Sequence, residues 1–137
     1  GDFKSTGFIF KIKPTGEVSL VLEDQRDVVK APNGLLIEGD KLFILDWGGE
    51  FFKANLKTNK VKKIAEGVNG GDGIAKKGKI IYLSSWLEGK IYTVVQGKVN
   101  VIQEGYEAAA DITLSNNKGQ LLIPDMKAGT LTIMDLQ

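Results

Sequence analysis

The sequence predicts an all-β protein, and three observations carry that prediction. Short runs of alternating apolar and polar residues recur along the chain, as in Val18-Ser19-Leu20-Val21 and Val99-Asn100-Val101-Ile102, and period-two alternation marks half-buried strands. Glycine is abundant at 17 residues and proline scarce at 3, with glycines standing where hairpin turns need them. Four glycines also open similar segments: Gly7-Phe8-Ile9-Phe10, Gly49-Glu50-Phe51-Phe52, Gly89-Lys90-Ile91-Tyr92 and Gly129-Thr130-Leu131-Thr132. They lie 42, 40 and 40 residues apart, and a period near 40 is a propeller blade length. The expected architecture is a β-propeller fragment of about three four-stranded blades, half of a six-bladed ring.

The elements follow in order, with strands named a to d from the ring axis outward. Residues 8–23 supply strands c and d of one blade, joined by a turn at Pro14-Thr15-Gly16. Residues 33–67 make a full blade. Gly34–Ile37 turns through Glu38-Gly39-Asp40 into Lys41–Asp46, and the strand after Gly49 turns through Lys57–Lys60 into Val61–Ile64. Residues 72–105 repeat that plan, with turns at Lys76-Lys77-Gly78 and Gln96-Gly97-Lys98. Residues 111–136 supply strands a, b and c of a last blade, with a longer turn from Ser115 to Gly119. The a and b runs are the most continuously apolar, as inner strands covered on both faces should be. The segments 66–71 and 104–109 are blade-to-blade crossings. No stretch shows sustained helical periodicity. A two-layer sandwich leaves the matched motifs at one period unexplained.

A chain that opens at strand c and stops after strand c presents unpaired sheet edges, which pair with something or aggregate. Thirteen strands also fall short of the roughly 24 that six four-stranded blades require. The expected partner is therefore the missing N-terminal half of the propeller or a second copy. Two copies bring more strands than six blades hold, so the missing half fits better. Gly1 opens the sequence without a preceding Met, as in a processed chain or a piece of a longer protein.

Composition narrows the function. Lys and Arg total 18 against 17 Asp and Glu, a net charge of +1. That balance argues against nucleic acid and membrane surfaces as partners and leaves room for a small-molecule ligand. No apolar run approaches the ~20 residues that span a bilayer. There is no Cys and no His, which removes disulfides, imidazole-based triads and the usual zinc sites. Catalysis would have to use carboxylates, Lys, Tyr or a hard cation with oxygen ligands.

Two loops place polar residues where inner strands begin: Ala31-Pro32-Asn33-Gly34-Leu35 and Gly70-Gly71-Asp72-Gly73-Ile74. Asn33 and Asp72 stand one blade apart, so a ring would bring their side chains to the same mouth of the central channel. An amide oxygen and a carboxylate are ligands that Ca2+ or Mg2+ prefers. Asn-Gly and Asp-Gly are also ordinary turn dipeptides. Their recurrence at blade spacing is what favours a site.

The order Pro32-Asn33-Gly34-Leu35, a Gly39-Asp40-Lys41 turn, an Asp46-Trp47 strand end, then Asp72-Gly73-Ile74 resembles the gluconolactonase/regucalcin propeller family. The resemblance covers essentially the whole chain but only the second half of a family member. It implies that Asn33 and Asp72 ligate a divalent cation, usually calcium, and that Asp72 is the general base of a lactone (ester) hydrolase. The family site also draws a Glu from the first blade and an Asn from a middle blade, which have no counterpart here. The cation is then weakly held and the isolated chain inactive. The match is nearest to a bacterial branch whose members are often exported.

Asp46, Trp47, Trp86 and Asp111 are further channel-facing candidates for substrate binding. Asp46 and Asp125 are expected at matching ends of strand b, with Ser84 between them; Trp47 and Trp86 follow those ends and could wall a pocket or simply pack. Asp111 stands in place of the Asn-Gly or Asp-Gly of the other loops. Lys57, Lys60, Lys62 and Lys63 read as a solvated outer edge. The alternative function is a non-enzymatic propeller that binds a ligand or protein, since propellers host many functions. A designed or shortened propeller is a third possibility.

Overall fold

The computed structural model describes residues 7–137. Four antiparallel sheets follow one another along the chain. The first holds β1 (Ile9–Ile12) and β2 (Val18–Val21). The second orders β3 (Pro32–Glu38), β4 (Lys41–Asp46), β5 (Phe51–Asn55) and β6 (Lys60–Ala65). The third orders β7 (Gly71–Lys77), β8 (Ile80–Ser85), β9 (Lys90–Val95) and β10 (Lys98–Glu104). The fourth holds β11 (Thr113–Leu114), β12 (Gln120–Asp125) and β13 (Thr130–Asp135). One short 3₁₀ turn, Glu23–Gln25, lies in the first crossing. Three residues are too few to leave a periodic signal, so the sequence did not reveal it. Among the described residues no helix is long and apolar enough to cross a membrane.

Turn chemistry sets the hairpins. Gly39 and Gly78 open the two-residue a–b turns at φ +58°, and Gln96-Gly97 closes β9 onto β10 with both residues at positive φ. Such turns twist with the flanking strands.

Three apolar clusters lie between neighbouring sheets. Ile9, Leu22 and Val29 meet Leu42, Ile44, Phe52 and Ala54. Phe43, Leu45 and Phe51 meet Ile74, Leu83, Tyr92 and Val94. Ala75, Tyr82 and Ile91 meet Ile112, Leu121 and Ile123. Each cluster joins two consecutive sheets, which is the packing of blades around an axis and not of two facing layers. Strands β4 and β8 serve two clusters each. Leu42 through Asp46 are therefore all buried, as are Ile81 through Ser85. Each large side chain fully buried here is worth about 1.5–3 kcal/mol.

Strand β3 departs from the expectation of inner strands covered on both faces. Leu35 is 47% exposed and Ile37 65%, whereas Ile74, one blade later, is 6% exposed. Among the described residues the first sheet consists of β1 and β2, which reach over β4 and β5 and not over β3.

At the axis the inner strands nearly touch. A Cβ on Gly34 would collide with the Asp72 carbonyl, and one on Gly73 would strike the Ile112 amide and lie 2.8 Å from the Asp111 Cα. Glycine is required at both positions for want of space, not for its dihedral freedom.

The crossings are tied down by a repeated bond. The amides of Trp47, Trp86 and Met126 donate to the carbonyls of Ala31, Gly70 and Ala108 at 2.8, 2.8 and 3.0 Å. Beside each bond sits the last residue of strand b. The buried Asp46 carboxylate accepts from the amides of Lys30, Ala31 and Gly48 at 3.0, 2.7 and 3.0 Å. Asp125 accepts from Glu107, Ala108 and Ala128 at 2.7, 3.0 and 3.1 Å. In the middle blade the equivalent residue is Ser85 and not Ser84 as the sequence suggested. Ser85 Oγ donates to the Asn69 carbonyl at 2.5 Å and accepts from the Glu88 amide at 3.0 Å. Burial alone would push the Asp125 carboxyl up. The amides of Ala128, Glu107, Ala108 and Lys127 outweigh that and hold it below the usual carboxylate range.

Gly73→Ala should cost about 1–3 kcal/mol, the range of an overpacked core, while Gly78→Ala, with open space around its Cβ position, should cost only the roughly 1 kcal/mol of its left-handed backbone; urea midpoints of the two variants measure the difference. Asp46→Ala strands three part-buried amides and should cost about 1–3 kcal/mol, read as a lower urea midpoint at an unchanged slope.

Candidate functional site

Pairing defines which loops share a mouth. Pro32 pairs with Asp46, Gly71 with Ser85 and Ala109 with Asp125. Strand a therefore begins where strand b ends in each blade, beside the b–c loops and the crossings. Asn33, Asp72, Asp111, Trp47 and Trp86 all stand at this mouth.

Two bulges aim the central side chains. The register shifts between Pro32 and Gly34 and between Gly71 and Ile74, and the extra residue of a bulge re-aims its side chain. Asn33 Nδ2 donates to the Gly71 carbonyl at 3.0 Å, and the same amide favours the ionised form of the Asp72 carboxyl. Ser84, a residue inward from the position the sequence suggested, props the base of this loop. Its Oγ accepts from the Gly73 amide at 2.8 Å and donates to the Ala110 carbonyl at 2.6 Å.

Asp72 is half-buried. Burial, and after it the negative Asp111, push its carboxyl above the usual range, and the Asn33 hydrogen bond opposes them only in part. Asn33 and Asp111 are exposed. The structure thus brings together one amide and two carboxylates, with the ionised form of the central one disfavoured. A cation between them would relieve that penalty, so the donor chemistry fits a hard divalent ion. The fit is partial. Among the described residues no group of three acidic side chains is placed to hold a metal, and calcium takes 6–8 oxygens.

Asp46 does not join this group. It was expected to face the channel and contact substrate, but its oxygens are taken up by the three backbone amides described above. Trp47 and Trp86 do lie together, ring centroids 6.0 Å apart and planes at 45°. The next equivalent position is Met126, 71% exposed, and beside it Lys127 places Nζ 4.2 Å from the Trp86 ring centre. Neither Met126 nor Lys127 drew attention in the sequence. Carrying the Trp47 and Trp86 positions one period further would have found both.

The mouth is acidic and its opposite is basic. The crossings and b–c loops carry Glu23, Asp24, Asp27, Glu50, Glu66, Glu88, Glu104 and Glu107 around Asp72 and Asp111, against Arg26, Lys30 and Lys127 in the same segments, and Lys63 pairs with Glu50 at 3.4 Å and Glu66 at 2.6 Å. The turns at the other end carry Lys13, Lys41, Lys57, Lys60, Lys77, Lys79, Lys98 and Lys118. Three pairs partly neutralise that end: Lys13–Glu17 at 2.9 Å, Lys57–Asp40 at 3.0 Å and Lys76–Glu38 at 2.9 Å.

No family model matches the sequence, and no curated protein matches it. Solved structures do. A chain of a nidogen/laminin complex superposes with a TM-score of 0.78 at 16% identity, over 94% of this chain and 51% of that one. A calcium-binding protein, regucalcin, from Agrobacterium tumefaciens superposes with a TM-score of 0.71 at 17% identity, over 96% of this chain and 52% of that one. The computationally designed Ika4 protein superposes with a TM-score of 0.67 at 11% identity, over 97% of this chain and 82% of that one. The chain spans about half the length of the nidogen-complex and regucalcin chains. Likeness at such identities speaks to fold alone, and the fold is that of a β-propeller fragment.

Proposed function

We propose that this chain carries half of a divalent-cation-dependent lactone or ester hydrolase site on a propeller scaffold. The observation that carries the reading is the convergence of Asn33, Asp72 and Asp111 at one acidic mouth, with the Asp72 carboxyl raised by burial and by Asp111. Asn33 and Asp72 would hold the ion, with Asp111 beside them. A bound divalent cation supplies Lewis-acid polarisation of a carbonyl. Asp72 would take the proton of an attacking water, and a raised carboxyl is the better base for that task. Asn33, pinned to the Gly71 carbonyl, keeps the Asp72 loop in place. The likeness to regucalcin supports the choice of calcium. Its further ligands would come from the other half of the ring, so this half alone should bind the ion on the order of 10⁻³ M and hydrolyse nothing.

A second reading has one observation in its favour. Trp47, Trp86 and Met126 present an apolar rim at this mouth, suited to stacking on a ligand or a partner protein, as a nidogen/laminin complex shows that propellers bind proteins. That reading needs the two indoles and is indifferent to Asp72; the hydrolase reading needs Asp72.

Calorimetric titration with Ca2+ should give a weak isotherm that Asp72→Asn abolishes and Asp46→Asn retains. Binding should release protons and weaken as pH falls through the raised Asp72 pKa. Unchanged binding by the Asp72 variant rules the site out. Without cation the sign reverses for stability. A carboxyl raised by folding is penalised when ionised, so Asp72→Asn should melt higher than wild type near neutral pH. That advantage should vanish below about pH 4, where unfolded and folded carboxyls are both protonated.

A further inference from the structure

We infer that the first sheet has a built slot for a two-stranded β-hairpin of the a–b type, supplied by the complementary half of the ring. The slot has two walls. One is the edge of β1 that faces away from β2, which pairs with no other strand among the described residues. The other is the uncovered face of β3, where Leu35 and Ile37 stand 47% and 65% exposed. Ile9, Phe10, Val21 and Leu42 line the groove between them.

The chain itself shows what covers such a face. Leu35, Ile74 and Ile112 occupy corresponding inner-strand positions and point toward the preceding blade. Ile74 is 6% exposed because Leu36, Phe43 and Leu45 of the β3–β4 hairpin pack on it. Ile112 is 3% exposed, packed with Ala75 and Tyr82 of the β7–β8 hairpin. For Leu35 the preceding blade contributes, among the described residues, β1 and β2 only. Its cover should be the same object one period earlier: a strand b lying antiparallel on β1, as β4 lies on β5, and a strand a inside it. Side chains corresponding to Leu36, Phe43 and Leu45 would face Leu35 and Ile37. The length comparison agrees, since the chain covers 51% and 52% of two propeller chains it superposes on. The inference is independent of the hydrolase reading.

The test uses this chain's own hairpin as the probe, a synthetic peptide of residues 31–47 added to the 137-residue protein. The peptide should bind saturably and slow hydrogen exchange at the β1 amides while leaving β6 and β10 unchanged. Leu35→Lys in the protein should weaken it at least tenfold, and so should Phe43→Lys with Leu45→Lys in the peptide. The peptide variant keeps the test valid if the protein variant folds poorly. Peptide binding that ignores both sets of substitutions overturns the inference. So does protection of β1 that depends on protein concentration without peptide, because the occupant is then a second copy.

Discussion

At Gly34 and Gly73 the backbone of one inner strand lies so close to the next that no side-chain carbon fits between them. That approach sets the radius at which the sheets converge. With the inner strands in near contact, each sheet can splay outward only as a blade, and the wedge between neighbours is filled by the widening apolar clusters of Phe43, Phe51 and Tyr92 on one side of the third sheet and Ile91, Leu121 and Ile123 on the other. The residues immediately before these glycines inherit their place. Asn33 and Asp72 stand at the mouth because the backbone that follows them must dive to the axis.

That inheritance explains the chemistry of Asp72. A carboxylate carried to the convergence point of several strands loses solvent and meets Asp111 of the next blade, which stands at the position that Gly73 holds in its own. Close packing and a raised carboxyl are one geometric fact seen twice. The same argument separates Asp72 from Asp46. Asp46 lies a step outward, where two amides of the crossing and that of Gly48 in the b–c loop take the carboxylate for the scaffold.

The blade plan was legible because its signal is redundant. Gly49, Gly89 and Gly129 all adopt positive φ at +97°, +60° and +66°, so the chain must keep glycine there, and the repeat survives wide drift elsewhere. Gly7 matches them in sequence yet does not share that conformation; Pro32 crowds it instead. The roles of the acidic residues were less legible. Asp46, Asp72 and Asp125 read alike as letters, and only the count of amides around each distinguishes a scaffold carboxylate from a free one. Ser85 escaped notice because a hydroxyl does the work of a carboxylate there, reversing one bond's polarity by donating to Asn69. The exposure of Leu35 and Ile37 could not be read from β3 at all, since burial of a strand is a property of its neighbour.

The distribution of charge has a consequence that the total conceals. A chain with one excess positive charge should be electrically bland at a distance, yet carboxylates outnumber cations at one end of its axis and ammonium groups outnumber carboxylates at the other. Such a molecule is an electric dipole along the channel. Its far field turns it before contact, so small cations meet the Asp72 end first and small anions are shown the lysines. Both an anion exchanger and a cation exchanger should retain it near its isoelectric pH, each gripping a different pole, and modest salt should release it from either.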